Sequence, residues 1–344
     1  MRKLKIAQVA PLWFPIPPKK YGGTERIVYH LTEGLVKKGH EVTLFASGDS
    51  KTKAKLFSVT KRGLISRRIP WQDWWWNNLN YSIAFSKAKN FDIIHSHWTP
   101  LGVFFQNFVK TPVLHTFHNI PKRKSHLWQV LKHFKNSNVV FVSKKERKNS
   151  KIRFKREFVV YNGIDVSKFK FNPKPKEFFL WVGRICPQKG TKEAILIAKK
   201  AKVKLFLVGQ LQPMYLDYFE KEIRPNLGKD IKYLGELNEN KLISFYRNAK
   251  AFLYPLQWEE PFGLCLVEAM ACGTPVIAFK RGSIPEVVKN GKTGFIVKNE
   301  KEAIEAIKEI EKIKREDCRE WVEKNFNVKK MVEDYEKIYY KLIK

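Results

Sequence analysis

Phe178-Phe179-Leu180-Trp181-Val182-Gly183-Arg184-Ile185-Cys186-Pro187-Gln188-Lys189-Gly190 opens a pattern that the chain has already used once. Phe178 to Val182 is a short apolar run, as a buried parallel strand requires. Gly183 to Gly190 is a glycine-bounded loop, Lys192 to Lys200 predicts a helix, and Val203 to Val208 a second strand ending at Gly209. This is a βαβ opening.

Working back towards the N-terminus, the same order appears. Leu4 to Ala10 predicts a strand, and a Pro-rich loop from Pro11 to Lys20 closes on Gly22-Gly23. Ile27, Val28, Leu31 and Leu35 then recur at helical spacing, Gly39 ends that helix, and Val42 to Ala46 is the next strand. Further strands are predicted at Ile93 to His95, Val113 to His115 and Val139 to Val142. Asn172-Pro173-Lys174-Pro175 reads as a linker. Beyond it come a strand at Ala251 to Tyr254, a helix from Gly263 to Ala271 and a strand at Val276 to Phe279. The expected fold class is therefore α/β, with two doubly wound, Rossmann-like domains and an active site in the cleft between them. The domains are expected at residues 1–170 and 171–327. A final amphipathic helix at about 328–344, with Met331, Val332, Tyr335, Tyr339 and Leu342 on one face, is expected to pack back on the first domain.

At 344 residues the chain is long enough for two cores. It contains no run of about 18 apolar residues, so no membrane span is expected. Its start reads as a first strand rather than a signal peptide. The four cysteines (Cys186, Cys265, Cys272 and Cys318) lack metal-ligand spacing and point to a reducing, cytoplasmic setting. The formal charge is +33, and it is uneven: residues 1–170 carry 33 Lys+Arg against 9 Asp+Glu. Such a field attracts phosphates, anionic lipids or nucleic acid. No zinc-finger, basic-zipper or RNA-recognition signature accompanies it, so a nucleic-acid partner is not expected.

Two segments carry chemistry. In Glu259-Glu260-Pro261-Phe262-Gly263-Leu264-Cys265-Leu266-Val267-Glu268, the amides of Phe262, Gly263 and Leu264 stand at a helix start, a natural phosphate site. Glu268, in the second turn, can accept both hydroxyls of a ribose, and Glu260 can reach sugar hydroxyls. Seen alone, two such glutamates are more often a helix-dipole partner and a solvated charge. In Gly183 to Gly190, Arg184 and Lys189 would direct two cations at a diphosphate. Seen alone in so basic a chain, they would be solvated loop cations.

Together the segments resemble glycosyltransferase family 4. The resemblance rests on Glu260 and Glu268 with Phe262-Gly263 between them, on Glu268-Ala269-Met270-Ala271-Cys272-Gly273-Thr274-Pro275-Val276, and on Gly183-Arg184 with Lys189-Gly190. It extends to Gly22-Gly23-Thr24-Glu25-Arg26, Asp92-Ile93-Ile94-His95-Ser96-His97 and Asn162-Gly163-Ile164-Asp165. It implies the GT-B fold and transfer of a sugar, with retention of configuration, from a UDP- or GDP-sugar to a hydroxyl of a glycan or lipid-linked acceptor. It implies that Arg184 and Lys189 bind the donor diphosphate, that Glu268 holds the ribose, and that Glu260 contacts the transferred sugar. Phe262, Gly263 and Leu264 would offer amides to the donor, and Gly22 and Gly23 would let the N-terminal loop close on the phosphates. His97 would sit near the sugar and His118, in Thr116-Phe117-His118-Asn119, would face the acceptor; His95 and His115 are expected to be core residues. No metal or other cofactor is required, because two cations and a helix start can neutralise the leaving group, and no Asp-x-Asp motif is present. The alternative enzyme reading is a nucleotide-sugar epimerase of the same fold.

Arg67-Arg68-Ile69-Pro70-Trp71-Gln72-Asp73-Trp74-Trp75-Trp76 places four tryptophans beside two arginines, and Lys122-Arg123-Lys124 and Lys144-Lys145-Glu146-Arg147-Lys148 add charge in the same half. Packing and solubility would explain them. The functional reading is peripheral docking on the anionic inner face of the membrane.

Overall fold

The structure, a computed structural model, describes residues 2–20, 22–98, 101–119 and 121–343. It divides into two compact units, Met1–Gly163 with Val328–Lys344, and Ile164–Asn327.

The first unit is built on a seven-stranded sheet. In chain order its strands are β1 (Lys5–Val9), β2 (Glu41–Phe45), β3 (Lys55–Phe57), β4 (Ile93–Ser96), β5 (Val113–Phe117), β6 (Asn138–Phe141) and β7 (Arg156–Val159). Their spatial order is β3-β2-β1-β4-β5-β6-β7, every pair parallel, with Ile6 opposite both Val42 and Ile93. Parallel strands must be covered on both faces. One face carries a cluster of Ala7, Val9, Phe45, Tyr81, Phe85 and Ile94, and another cluster joins Val28 to Ala10, Ile16 and Leu44.

The helix Gly23–Lys37 buries Ile27, Val28, Leu31 and Leu35, the stripe that the sequence shows. The C-terminal helix Val328–Ile343 buries Met331, Val332, Tyr335, Ile338, Tyr339 and Leu342. The two helices meet at Gly34. A Cβ there would lie 2.4 Å from Cγ2 of Val332, a separation only the bare backbone of glycine permits. Glu336 ties the same contact with a 2.6 Å ion pair to Lys38 and a 2.9 Å bond to His40.

The second unit repeats the plan with β8 (Phe179–Val182), β9 (Leu205–Val208), β10 (Ile231–Tyr233), β11 (Ala251–Tyr254), β12 (Val276–Phe279) and β13 (Gly294–Val297). Their order is β10-β9-β8-β11-β12-β13, again all parallel. Leu180, Trp181, Leu207, Phe252, Leu253 and Ile277 are fully buried between its helices.

The unit boundary falls between Gly163 and Ile164, not at residues 170 and 171. The Pro-rich stretch read as a linker is anchored in the second unit. The Asn172 amide donates to Cys272 O at 3.2 Å and the Lys176 amide to Asn248 O at 2.7 Å. The buried Arg315 guanidinium donates to Asn172 O, Ala249 O, Arg247 O and Thr274 Oγ1. Prolines cannot reveal such anchors, because the bonds are made by their neighbours' backbones.

Candidate active site

In each sheet the strand order reverses beside the first strand of its unit, between β1 and β4 and between β8 and β11. In doubly wound sheets ligands bind beyond the carboxyl ends of the strands at such a reversal. The residues singled out in the sequence lie at these two places.

In the second unit, Arg184 follows β8, Lys189 ends the short turn Pro187–Lys189, Tyr254 closes β11, and Glu260 lies six residues further on. The structure joins Lys189 to Glu260, which the sequence had assigned to different parts of a ligand. Nζ of Lys189 stands 2.6 Å from Glu260 Oε2, with only 15% and 9% of the two side chains exposed. Tyr254 OH and Trp258 Nε1 donate to the same oxygen, each at 3.1 Å. The ammonium also donates to Tyr254 OH at 3.1 Å and lies 4.8 Å from the centre of the Trp258 ring. A carboxylate held by three donors and an ammonium held by a carboxylate, a phenol and a ring make a rigid charged pair.

The loop around Glu260 is strapped from outside. The Ser283 amide donates to Glu260 O at 2.9 Å and Ser283 Oγ to Phe262 O at 2.9 Å. Gly282, at φ 50°, makes this strap possible: a Cβ there would fall 2.1 Å from Glu260 O. The helix Leu264–Ala271 then begins at Gly263, which brings no capping side chain to the first-turn amides. Those amides form the positive end of the helix. Glu268 lies in the second turn and accepts from Tyr246 OH at 2.9 Å. Cys265, in the first turn, is no nucleophile, because burial pushes its thiol up to about 12.

Arg184 is the less occupied cation. Its Nη1 reaches Gln212 Oε1 only at 3.5 Å, and its Nε is buried with no hydrogen-bond partner among the described residues. A buried donor left without an acceptor costs about 1–3 kcal/mol, so this guanidinium is a ready seat for an anion.

In the first unit, His97 follows β4 and its amide donates to Val9 O at 3.0 Å. The ring is 1% exposed; Nε2 lies 2.5 Å from Gln8 Oε1 and Nδ1 3.3 Å from Nε2 of the half-buried His118. His95 and His115 are core residues, as expected. Burial, with the neighbouring His95 and His118, holds His97 well below the ordinary imidazole range. Burial also lowers His115 to about 3 and His118 to about 4. These imidazoles are neutral at pH 7. Gly22 caps the helix Gly23–Lys37, packed on Pro18, and Gly23 is exposed beside it. Glu25, in that helix's first turn, is buried and raised to about 7 by burial.

Sequence reasoning missed Gln8, Gln212, Tyr246, Trp258 and Ser283, and it took Tyr254 only as a strand residue. Tyrosine and tryptophan beside a buried carboxylate are the one signal that could have found two of them, since their polar atoms seek a partner when buried.

The tryptophan segment divides. Trp76 packs on the cluster of Leu12, Trp13 and Leu64 under the Arg67 guanidinium, 4.8 Å from the ring centre. Trp71, Trp74 and Trp75 are exposed, Trp75 by 79%. With Leu79, Phe104 and Phe108 they are six of the eight exposed large apolar side chains among the described residues, and all six lie within residues 71–108. Among the described residues no helix is long and apolar enough to cross a membrane.

Comparison with known proteins bears on the family and the fold. Residues 164–328 match the model of glycosyl transferases group 1, and residues 21–168 that of glycosyltransferase family 4. An uncharacterized glycosyltransferase of Methanocaldococcus jannaschii is 25% identical over 86% of this chain and 85% of its own. The phosphatidyl-myo-inositol mannosyltransferase of Mycolicibacterium smegmatis is 26% identical over 86% of this chain and 81% of its own. Among solved structures, sucrose-phosphate synthase from Thermosynechococcus elongatus superposes with a TM-score of 0.81 at 22% identity, covering 99% of both chains. The Anabaena protein HepE, solved in complex with UDP-glucose, gives 0.76 at 20% identity, covering 98% of this chain and all of its own. The two family models together run from residue 21 to residue 328, and the chain belongs to the family 4 glycosyltransferases, enzymes of GT-B fold.

Proposed function

We propose that the chain transfers a sugar from a UDP- or GDP-sugar to a hydroxyl of a glycan or lipid-linked acceptor, with retention of configuration. The observation that carries this reading is the grouping at the β8/β11 reversal of the Arg184 Nε, which has no partner among the described residues, the Lys189–Glu260 pair and the start of the helix Leu264–Ala271. Such a grouping suits a departing diphosphate. In this reading Arg184 and Lys189 hold the diphosphate, and the amides of Phe262, Gly263 and Leu264 lie along the donor. Glu268 takes the ribose and Glu260 a hydroxyl of the transferred sugar. His97 belongs to the sugar and His118 to the acceptor, with Gly22 and Gly23 closing on the phosphates. The acceptor oxygen bonds to the anomeric carbon on the face from which the diphosphate leaves, and the acceptor's proton passes to the departing phosphate oxygen. These side chains and amides supply the neutralisation without a metal. HepE in complex with UDP-glucose supports a nucleotide-sugar donor.

A thermal-shift screen of UDP-, GDP- and ADP-sugars tests the donor. A ligand at 100 times its Kd should stabilise the protein by about 2.7 kcal/mol. Transfer of label from the stabilising donor to an acceptor is the expected product; epimerised free nucleotide sugar in its place would refute transfer.

The exposed aromatic surface within residues 71–108, in the half of the chain with 33 basic against 9 acidic residues, favours a lipid-borne acceptor met at an anionic membrane. Each cation near such a leaflet contributes about 1 kcal/mol, and the interfacial tryptophans add a part that salt does not screen. Sedimentation with phosphatidylglycerol-containing vesicles should carry the protein down at low salt. No binding by protein that still takes its nucleotide sugar would sink the membrane reading and leave transfer standing.

A further inference from the structure

Behind His97 runs an unbroken line of hydrogen bonds. His97 Nε2 meets Gln8 Oε1 at 2.5 Å, and Gln8 Nε2 donates to Tyr339 OH at 3.0 Å. Tyr339 OH lies 2.7 Å from His95 Nδ1, His95 Nε2 lies 2.7 Å from Thr116 Oγ1, and Thr116 Oγ1 lies 3.0 Å from Tyr335 OH. At the other end His97 Nδ1 meets His118 Nε2 at 3.3 Å. Every member except His118 is buried, so the bonds from His97 to Tyr335 lie away from solvent. Two of the members, Tyr335 and Tyr339, stand on the C-terminal helix, and the rest lie on or just beyond β1, β4 and β5.

The donors and acceptors in this line determine one another. Gln8 gives its carbonyl to His97, so His97 Nε2 must carry a proton and Nδ1 must be bare. A bare Nδ1 accepts from His118, which is then protonated at Nε2 as well. Tyr339 accepts from the Gln8 amide, and its single proton is spent on His95 Nδ1. His95 therefore donates from Nε2 to Thr116. The burial that keeps His95 and His97 uncharged makes the line directional, since an imidazolium would donate from both nitrogens.

We propose that Tyr339 is a positioning residue, which holds Gln8 in one amide orientation and thereby fixes His97 and His118 as Nε2-protonated tautomers. Nδ1 of His97 is then taken up by His118, and the unprotonated Nδ1 left to a substrate is that of His118. A substrate hydroxyl that binds at Nδ1 of His118 meets a lone pair and donates to it, whereas a phosphate or carbonyl oxygen finds no proton there. Specificity for a hydroxyl on the acceptor side is thus set from the far end of the sequence, 221 residues beyond His118. This rests on the proposed roles of His97 and His118.

The test is the side-chain nitrogen spectrum of full-length protein labelled with 15N-histidine, compared with Tyr339→Phe, which removes one oxygen and keeps the ring. Wild-type His97 is expected with a protonated Nε2 and a bare Nδ1; in Tyr339→Phe the freed amide of Gln8 can turn, and the His97 signals should move towards a tautomer mixture. Turnover should fall about tenfold with KM little changed, the scale of losing an outer partner that orients a site histidine. A wild-type His97 protonated at Nδ1, which needs no variant to observe, overturns the proposal. So does an unchanged His97 spectrum in folded Tyr339→Phe. A shifted spectrum with unchanged turnover supports the hydrogen-bond line and refutes instead the role of His97 in transfer.

Discussion

Glu260→Gln keeps the shape of the side chain and removes its charge, and the surroundings of Lys189 determine the cost. Breaking a buried ion pair by removing one partner costs about 3–5 kcal/mol when the remaining charge has no compensation. Here side-chain exposures of 15% and 9% leave a little solvation. Lys189 also keeps Tyr254 OH at 3.1 Å and the Trp258 ring at 4.8 Å. The expected loss for Glu260→Gln is therefore below that range, about 2–3 kcal/mol. Lys189→Met leaves the carboxylate with its bonds from Tyr254 and Trp258, so about 2 kcal/mol is expected. The double variant leaves no uncompensated charge and should lose only about 1–2 kcal/mol, for a coupling of about 2–4 kcal/mol. Because the chain has two units, a single unfolding curve is an unsafe measure. Native-state hydrogen exchange at the amides of β8 and β11 reports the opening of the second unit alone. Single-variant losses that add in the double to within about 0.5 kcal/mol would refute the pair as a coupled unit.

Arg184→Ala should cut turnover by about 100-fold while leaving exchange protection nearly unchanged, since among the described residues the guanidinium makes one long bond and its Nε none; wild-type turnover would remove it from the donor site. Glu268→Ala should weaken binding of the bare nucleoside diphosphate, whereas Glu260→Ala should mainly slow transfer, and equal affinity losses by calorimetry would contradict that division. Glu25→Gln should change the pH dependence of stability: the Glu25 carboxyl titrates at 4.5 when unfolded and about 7 when folded, so in that window only the folded state holds the proton. Its contribution is full below pH 4.5 and is lost as pH rises through 7, up to about 3 kcal/mol, and the difference between wild type and variant in native-state hydrogen exchange at the amides of β1 and β4, in the same unit, should show that slope. The neutral histidines act with the opposite sign, stabilising above pH 6.5 and less as pH falls, so a wild-type profile alone would not isolate Glu25.

The sequence makes the frame readable because parallel strands are short apolar runs that stop at glycine or charge, as at Phe178 to Gly183 and Val203 to Gly209. It conceals β7, where Arg156 and Glu157 open a sheet-edge strand that solvent reaches, and β3, which is three residues long. The site is legible in residue types and not in pairings. Lys189 and Glu260 meet across 71 residues only because β8 and β11 are neighbours, and strand order is not written in local periodicity. Tyr335 and Tyr339 read correctly as members of a buried helical face, yet the same burial obliges their hydroxyls to find partners. A pattern of apolar positions records the burial and is silent on the bonds.

The two strand reversals differ in charge, and this bears on where the large positive field acts. At β1/β4 the groups around His97 are neutral: burial holds its neighbours His95 and His118 uncharged. At β8/β11 one of the two cations is already matched by Glu260. The excess basic charge of residues 1–170 therefore resides in exposed side chains such as Lys122, Arg123, Lys124, Lys144 and Lys148, not in the buried positions of the site. Exposed charge is screened within about 8 Å at physiological salt, whereas buried or paired groups are screened much less. Raising the salt should then weaken docking on anionic vesicles far more steeply than it weakens binding of the nucleotide sugar. Parallel loss of the two with salt would mean that the surface field itself recruits the donor, and the separation between a buried site and a charged surface would fail.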